Sequence, residues 1–185
     1  MKMKNYLISI ILILFMASPL FGQSADEKRF AFRTAFVVNA LTYNLDKQNS
    51  VGFHFGQLPT EINKDNIEKV ENSFFGFNYG YAFDCINCDS FFVVTILNTG
   101  SSVFTTDDGS TYTYSGWGLS VVGGYGWYFE NDISVILGAG PAYGSASKES
   151  ENIKSDKGYG KDVDDRVEKL SFQPIVPFFL VGYSF

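Results

Sequence analysis

The chain of 185 residues carries one histidine, His54, and two cysteines, Cys85 and Cys88. That scarcity excludes most metal and nucleophile chemistry, since even a catalytic zinc needs three protein ligands and a structural one four. No glycine-rich phosphate loop, nucleophile elbow or metal-ligand cluster is present. No cofactor or metal is therefore expected. Also missing is any apolar run of the ~20 residues that a spanning helix requires. The run from Tyr6 to Met16 is about 11 residues long, follows Lys2 and Lys4, and leads to Ala17, Ser18, Pro19 and Gly22. A positive start, a short hydrophobic segment and a small-residue exit read as a secretory signal peptide over residues 1–23. One domain over residues 24–185 remains.

Positive charge is scarce as well. Lys and Arg number 14 against 20 Asp and Glu, and loss of Lys2 and Lys4 with the signal leaves 12 against 20, a balance of −8. So acidic a chain lacks the basic footprint that phosphates demand, which argues against nucleic acid as a partner. In an exported chain, Cys85-Ile86-Asn87-Cys88 favours a local disulfide, or two idle turn cysteines, over a redox or zinc site.

Charge is absent from seven long segments: Thr34 to Leu45, Gln48 to Thr60, Asn72 to Phe83, Ser90 to Thr106, Gly109 to Phe129, Ile133 to Ser147 and Leu170 to Phe185. Each reaches the ~9–11 residues with which a tilted strand crosses a bilayer. Their glycine, aromatic and β-branched content argues against helix. Phe75, Phe77, Tyr79, Tyr81 and Phe83 form one face against Gly76, Asn78, Gly80 and Ala82. Trp117, Leu119, Val121, Tyr125, Trp127 and Phe129 do the same against Gly116, Gly118, Ser120, Val122, Gly124 and Gly126, and Ile133, Val135 and Leu137 resume the pattern after the turn at Glu130-Asn131-Asp132. A soluble sandwich or lipocalin-like binding barrel would bury the bulky face and show charge to water. Here the second face is glycine, serine and alanine, which suits the lumen of a narrow barrel whose bulky face meets lipid. Tyr125, Trp127, Tyr128 and Phe129 then form an interfacial girdle.

The expected fold is all-β, an antiparallel up-and-down transmembrane β-barrel. Asp84 to Asp89 and Glu130 to Asp132 are its short turns, and Pro59 to Glu71, Asn98 to Ser110 and Lys148 to Lys169 its long polar loops, with Gly109 at a hairpin tip. Lys148 to Arg166 shows no apolar stripe and reads as solvated and mobile. With Arg29 to Tyr43 as the first segment, the count is seven, whereas single-chain barrels have an even number. Eight strands are expected, so one long segment hides a turn or Pro59 to Glu71 contributes another element.

The stretch from Leu170 to Phe185 places Phe185, Tyr183, Val181 and Phe179 on one face, with Ser184, Gly182, Leu180 and Phe178 between them. An alternating apolar strand that closes on Phe resembles the assembly signal of Gram-negative outer-membrane β-barrels, of the OmpA/OmpX type or the opacity type. The resemblance implies an outer-membrane location and lipid, lipopolysaccharide and the barrel-insertion machinery as partners, with a host or matrix ligand at the loops. It implies a non-enzymatic surface, adhesion or envelope-integrity role. The enzyme alternative is a lipid A-modifying hydrolase, in which His54 needs a serine and a carboxylate beside it. His54, on the Gly52 and Gly56 face, and Arg33, opposite Phe30 and Phe32, are the polar residues assigned to the lumen. Arg33 is expected to pair with Glu168 of the last strand. Tyr112, Tyr114 and Tyr128 are expected to help fill the lumen and leave no aqueous pore. Asp162, Asp164 and Asp165 lack the EF-hand framework and read as a solvated acidic loop.

Overall fold

The structure, a computed structural model, describes residues 28–185 apart from 36, 37, 65 and 156, and only the backbone over 58–64. The signal peptide expected over residues 1–23 lies outside the described residues. Eight antiparallel strands form one closed barrel in chain order: β1 Phe30–Ala35, β2 Val38–Asn44, β3 Asn49–Lys64, β4 Ile67–Ala82, β5 Ser90–Thr106, β6 Thr111–Tyr128, β7 Ile133–Asn152 and β8 Phe172–Ser184. The helix α1, Gly160–Leu170, lies between β7 and β8. The all-β, eight-stranded expectation holds. The strand missing from the charge count lies within Arg29 to Tyr43, where Phe30 pairs with Tyr43 and Ala35 with Val38. No charged residue marks that reversal, so segmentation by charge runs through it.

Two expected loops are strand instead. Pro59 to Glu71 belongs to β3 and β4, which stay paired up to Lys64 opposite Ile67. Asn98 to Ser110 is mostly β5, paired with β6 up to Thr105 opposite Thr111. Their polar residues suggest loops, but a period-two pattern of Thr and Ser is also that of a strand face in water. The β5–β6 tip does turn at Gly109, whose φ of 78° favours glycine.

The outward face of the lower barrel is a belt of exposed apolar residues. Phe77 is 67% exposed and Ile175 73%, on a side where a soluble barrel carries charge. Two aromatic girdles bound the belt. The lower includes the ring pairs Phe91–Tyr125 and Tyr125–Trp127, with centroids 4.9 and 5.1 Å apart. The upper includes Trp117 and Tyr143, 5.8 Å apart. Trp117 and Trp127 stand ten residues apart on β6. At ~3.3 Å per residue and a tilt of ~40°, that is a band about 25 Å tall. Tyr128, expected in the girdle as well as the lumen, faces inward and donates to Asp132 Oδ1 at 2.9 Å.

The wall is uneven in height. β7 pairs with β8 only up to Tyr143 opposite Phe172, and β2 with β3 only up to Val38 opposite Gly56. β3 to β7 continue above the belt as an open gutter. On its concave side Ile67, Val70, Phe104, Tyr112 and Tyr114 form a buried core with Val163 of α1, and Val167 packs against it. The segment read as solvated and mobile therefore holds a docked helix. Val163, Val167 and Leu170 are spaced i, i+4 and i+7, an apolar stripe that a window ending at Arg166 cuts off.

Candidate functional site

The interior of the barrel is a chamber of about 300 Å³. Strand alternation points Phe92, Val94 and Ile96 of β5, and Phe178 and Leu180 of β8, into it. The lumen is thus apolar rather than lined by Gly, Ser and Ala alone, and side chains do not fill it. Tyr112 and Tyr114, expected to fill it, lie higher, in the core beneath α1.

The floor is the β4–β5 turn. A disulfide joins Cys85 to Cys88, and both line the chamber with Ile86. Hydrogen bonds tie the turn to its neighbours: Ile86 N donates to Lys47 O at 2.9 Å and Gln48 Nε2 to Phe83 O at 2.8 Å on the β2–β3 side, and Asn87 Nδ2 reaches Lys28 O, ahead of β1, at 3.3 Å. The roof is α1. A second chamber of about 410 Å³ lies beneath it, bounded by Val167, Leu170 and Ser171, and shares Phe74, Asn98, Ser120 and Val176 with the first.

Four contacts hold the roof. Asn66 Nδ2 donates to Asp162 Oδ2 at 2.9 Å, Gly144 N to Ser171 O at 2.8 Å, and the Tyr114 hydroxyl to Asp164. Lys148 Nζ lies 3.3 Å from Asp164 Oδ1 and 5.5 Å from the Tyr112 ring centroid. The Tyr114 hydroxyl and the Lys148 ammonium hold the Asp164 carboxyl below its ordinary value against the pull of desolvation. Burial opposes, but the Asp164 and Glu151 carboxylates outweigh it and keep Lys148 above its own. Asp162, Asp164 and Asp165 thus belong to a helix, and the first two anchor it instead of forming a solvated acidic loop.

Arg33 and His54 both face the lower chamber, 9% and 7% exposed. They occupy one row across three strands, because Arg33 pairs with Ala40 and Ala40 with His54. Arg33 does not meet Glu168, which is on α1 and not on the last strand. Its Nη1 donates instead to Thr42 Oγ1 at 2.8 Å, and its Nε has no partner. Gly182 makes room for it: a Cβ there would stand 2.6 Å from Arg33 Cγ. His54 Nε2 is also unpartnered, and its ring lies 6.2 Å from that of Phe74. No Asp or Glu lines the chamber among the described residues, so no hydrolase set of histidine, serine and carboxylate assembles there. Phe179, Val181 and Tyr183 face outward on β8, and Phe185 exchanges backbone hydrogen bonds of 3.0 and 2.8 Å with Phe30. Sequence reasoning missed the apolar lining of β5 and the α1 roof. The signals were the unbroken apolar run Phe91 to Val94 and the stripe ending at Leu170.

No family model matches the chain, and no curated protein matches it. Among solved structures the chain is similar to a major outer membrane protein from Thermus thermophilus, at 13% identity over 84% of this chain and 97% of that one, with a TM-score of 0.49. It is also similar to CarO of Acinetobacter baumannii, at 9% identity over 88% of this chain and 100% of that one, with a TM-score of 0.39. Neither likeness bears on what the chain does.

Proposed function

We propose that this chain is an integral outer-membrane β-barrel of non-enzymatic, surface or envelope-integrity type, with the gutter and α1 outside the cell and the short turns in the periplasm. The observation that carries this reading is the exposed apolar belt between two aromatic girdles. In water such a surface would be a strong aggregation site, whereas lipid is its complement. The same belt disfavours a soluble lipocalin-like barrel. Roof and floor both lie across the lumen, which disfavours an open pore. β8 offers Phe179, Val181 and Tyr183 to the insertion machinery, and the girdles and belt meet outer-membrane lipid and lipopolysaccharide. The polar outer face of the gutter, with Thr111, Thr113 and Ser115 of β6, is where a host or matrix ligand would dock.

The test is electrophoretic mobility of the outer-membrane fraction with and without boiling, followed by conductance in a planar bilayer. Expected are a band that shifts on boiling and no stable ion current. A chain recovered in the soluble fraction without a shift overturns the membrane reading, and steady open-channel conductance overturns the closed lumen.

A further inference from the structure

Among the described residues, the lower chamber is lined by one permanent cation and no anion. Arg33 is more than nine-tenths buried, is held by one hydroxyl, and leaves its Nε unbonded, while no carboxylate lines the cavity. A guanidinium buried without a counter-charge is strongly disfavoured in a low-dielectric interior, so such groups are found paired. The position is built, not incidental. Gly182 vacates the space that Arg33 occupies, and small Ala40 separates it from His54 on the same row. His54 Nε2 and Ser134 Oγ are two further buried groups without partners in this chamber. The chamber's lining also includes Phe92, Ile96 and Phe178, which offer nothing to a polar ligand.

We propose that the chamber is a binding site for a monoanionic amphiphile, a single-chain carboxylate whose head pairs with Arg33 and whose alkyl chain lies among Phe92, Ile96 and Phe178. A carboxylate suits a guanidinium because two parallel N–H groups meet two oxygens. The volume, about 300 Å³, is at the lower edge of small-molecule sites and fits a medium chain better than a long one. The upper chamber, which shares Phe74 and Val176 with the lower, is the way in beneath α1. The site depends on the closed lumen and not on where the barrel resides.

The test uses the full barrel in a neutral maltoside detergent and equilibrium dialysis with isotope-labelled decanoate, decanol and acetate. Each preparation is first shown to shift mobility on boiling. Expected is saturable, one-to-one binding of decanoate, with decanol and acetate each weaker by about tenfold or more, and a loss of similar size in Arg33→Leu. Equal binding of decanoate and decanol would mean apolar partition alone, and equal binding of decanoate and acetate an anion site that ignores its walls. Either result overturns the proposal, as does decanoate binding undiminished in a folded Arg33→Leu barrel, or none in the wild type. Should Arg33→Leu fail to fold, Phe178→Trp, which fills the chamber, is expected to lose decanoate and leave the mobility shift intact, and undiminished binding there overturns the proposal too. A wild-type chain that shows no shift fails the barrel reading instead, so the two failures are distinct.

Discussion

The lower and upper halves of the barrel are made from the same strands but are polarised in opposite senses. Below Gly116, β6 turns Trp117, Leu119 and Val121 outward. Above it, Tyr112 and Tyr114 turn inward and Thr111, Thr113 and Ser115 outward. β4 makes the same switch, with Phe75 and Phe77 outward below and Val70 buried above, whereas β5 is bulky on both faces below, Phe91 and Leu97 outward and Phe92 and Ile96 inward, and buries Phe104 on the concave side above. The backbone register continues through the change, apart from bulges at the top of the gutter. In β4 and β6 only the parity of the large residues shifts. Hydrophobic pattern is therefore a statement about solvent: where the exterior is lipid the bulky parity faces out, and where it is water the same strand buries it.

This contrast can be broken one half at a time. Phe104→Ala should remove about 3–5 kcal/mol from the upper core. The expected result is new protease cleavage between Asn152 and Phe172 with the boiling shift intact. Val121→Arg places a charge in the middle of the belt and should cost ~2–4 kcal/mol in lipid. Its reading is the fraction of chain that runs unshifted without boiling. Thr113→Arg, eight residues along the same face, should change stability by no more than about 0.5 kcal/mol. Equal effects of the two arginines would show that the upper strands also lie in lipid. Gly182→Ala crowds Arg33 and should cost about 1–3 kcal/mol, read as a lower denaturant midpoint in detergent or lipid.

The smallest effect is on pH. The Asp164 carboxyl is held below its ordinary value, so its contribution to docking of α1 is present above about pH 4 and is lost as pH falls through the depressed value. The Asp108 carboxyl, which accepts from Ser155, Thr106 and Ser110, is held low in the same sense. Lys148 is raised, so its contribution is present below its ordinary range and fades only in strong alkali. The protection factors of the amides across 160–170, which divide out the base-catalysed intrinsic exchange rate, should therefore fall in acid and not in mild alkali, and Asp164→Asn should remove much of the acid step.

The sequence made the lower half legible and the upper half misleading. Phe75 to Phe83 and Trp117 to Phe129 alternate against small residues, and that contrast suffices for a lipid-facing strand. The upper strands alternate too, but Thr-Tyr-Thr-Tyr-Ser at 111–115 carries its large residues on the other parity, and its polar half resembles loop. α1 was hidden because its stripe has only Val163, Val167 and Leu170 among eleven mostly charged residues. The small inner residues of β4 and β6, Gly76, Gly80, Gly118 and Ser120 among them, suggest a lumen lined by small side chains. β5 and β8 carry Phe92, Ile96, Phe178 and Leu180 inward, and only closure brings those strands face to face with Arg33 and His54.

The β1–β8 seam acquires from Gly182 a steric mark of its register. It is four pairs long, from Ala31 opposite Ser184 to Thr34 opposite Val181. A slip of one residue would exchange inside for outside, and a slip of two would set Leu180 or Ser184 where the guanidinium stem needs vacant space. Within the seam the pairing of Arg33 with Gly182 is the one that leaves that space, so a slipped register carries a steric penalty at the guanidinium stem.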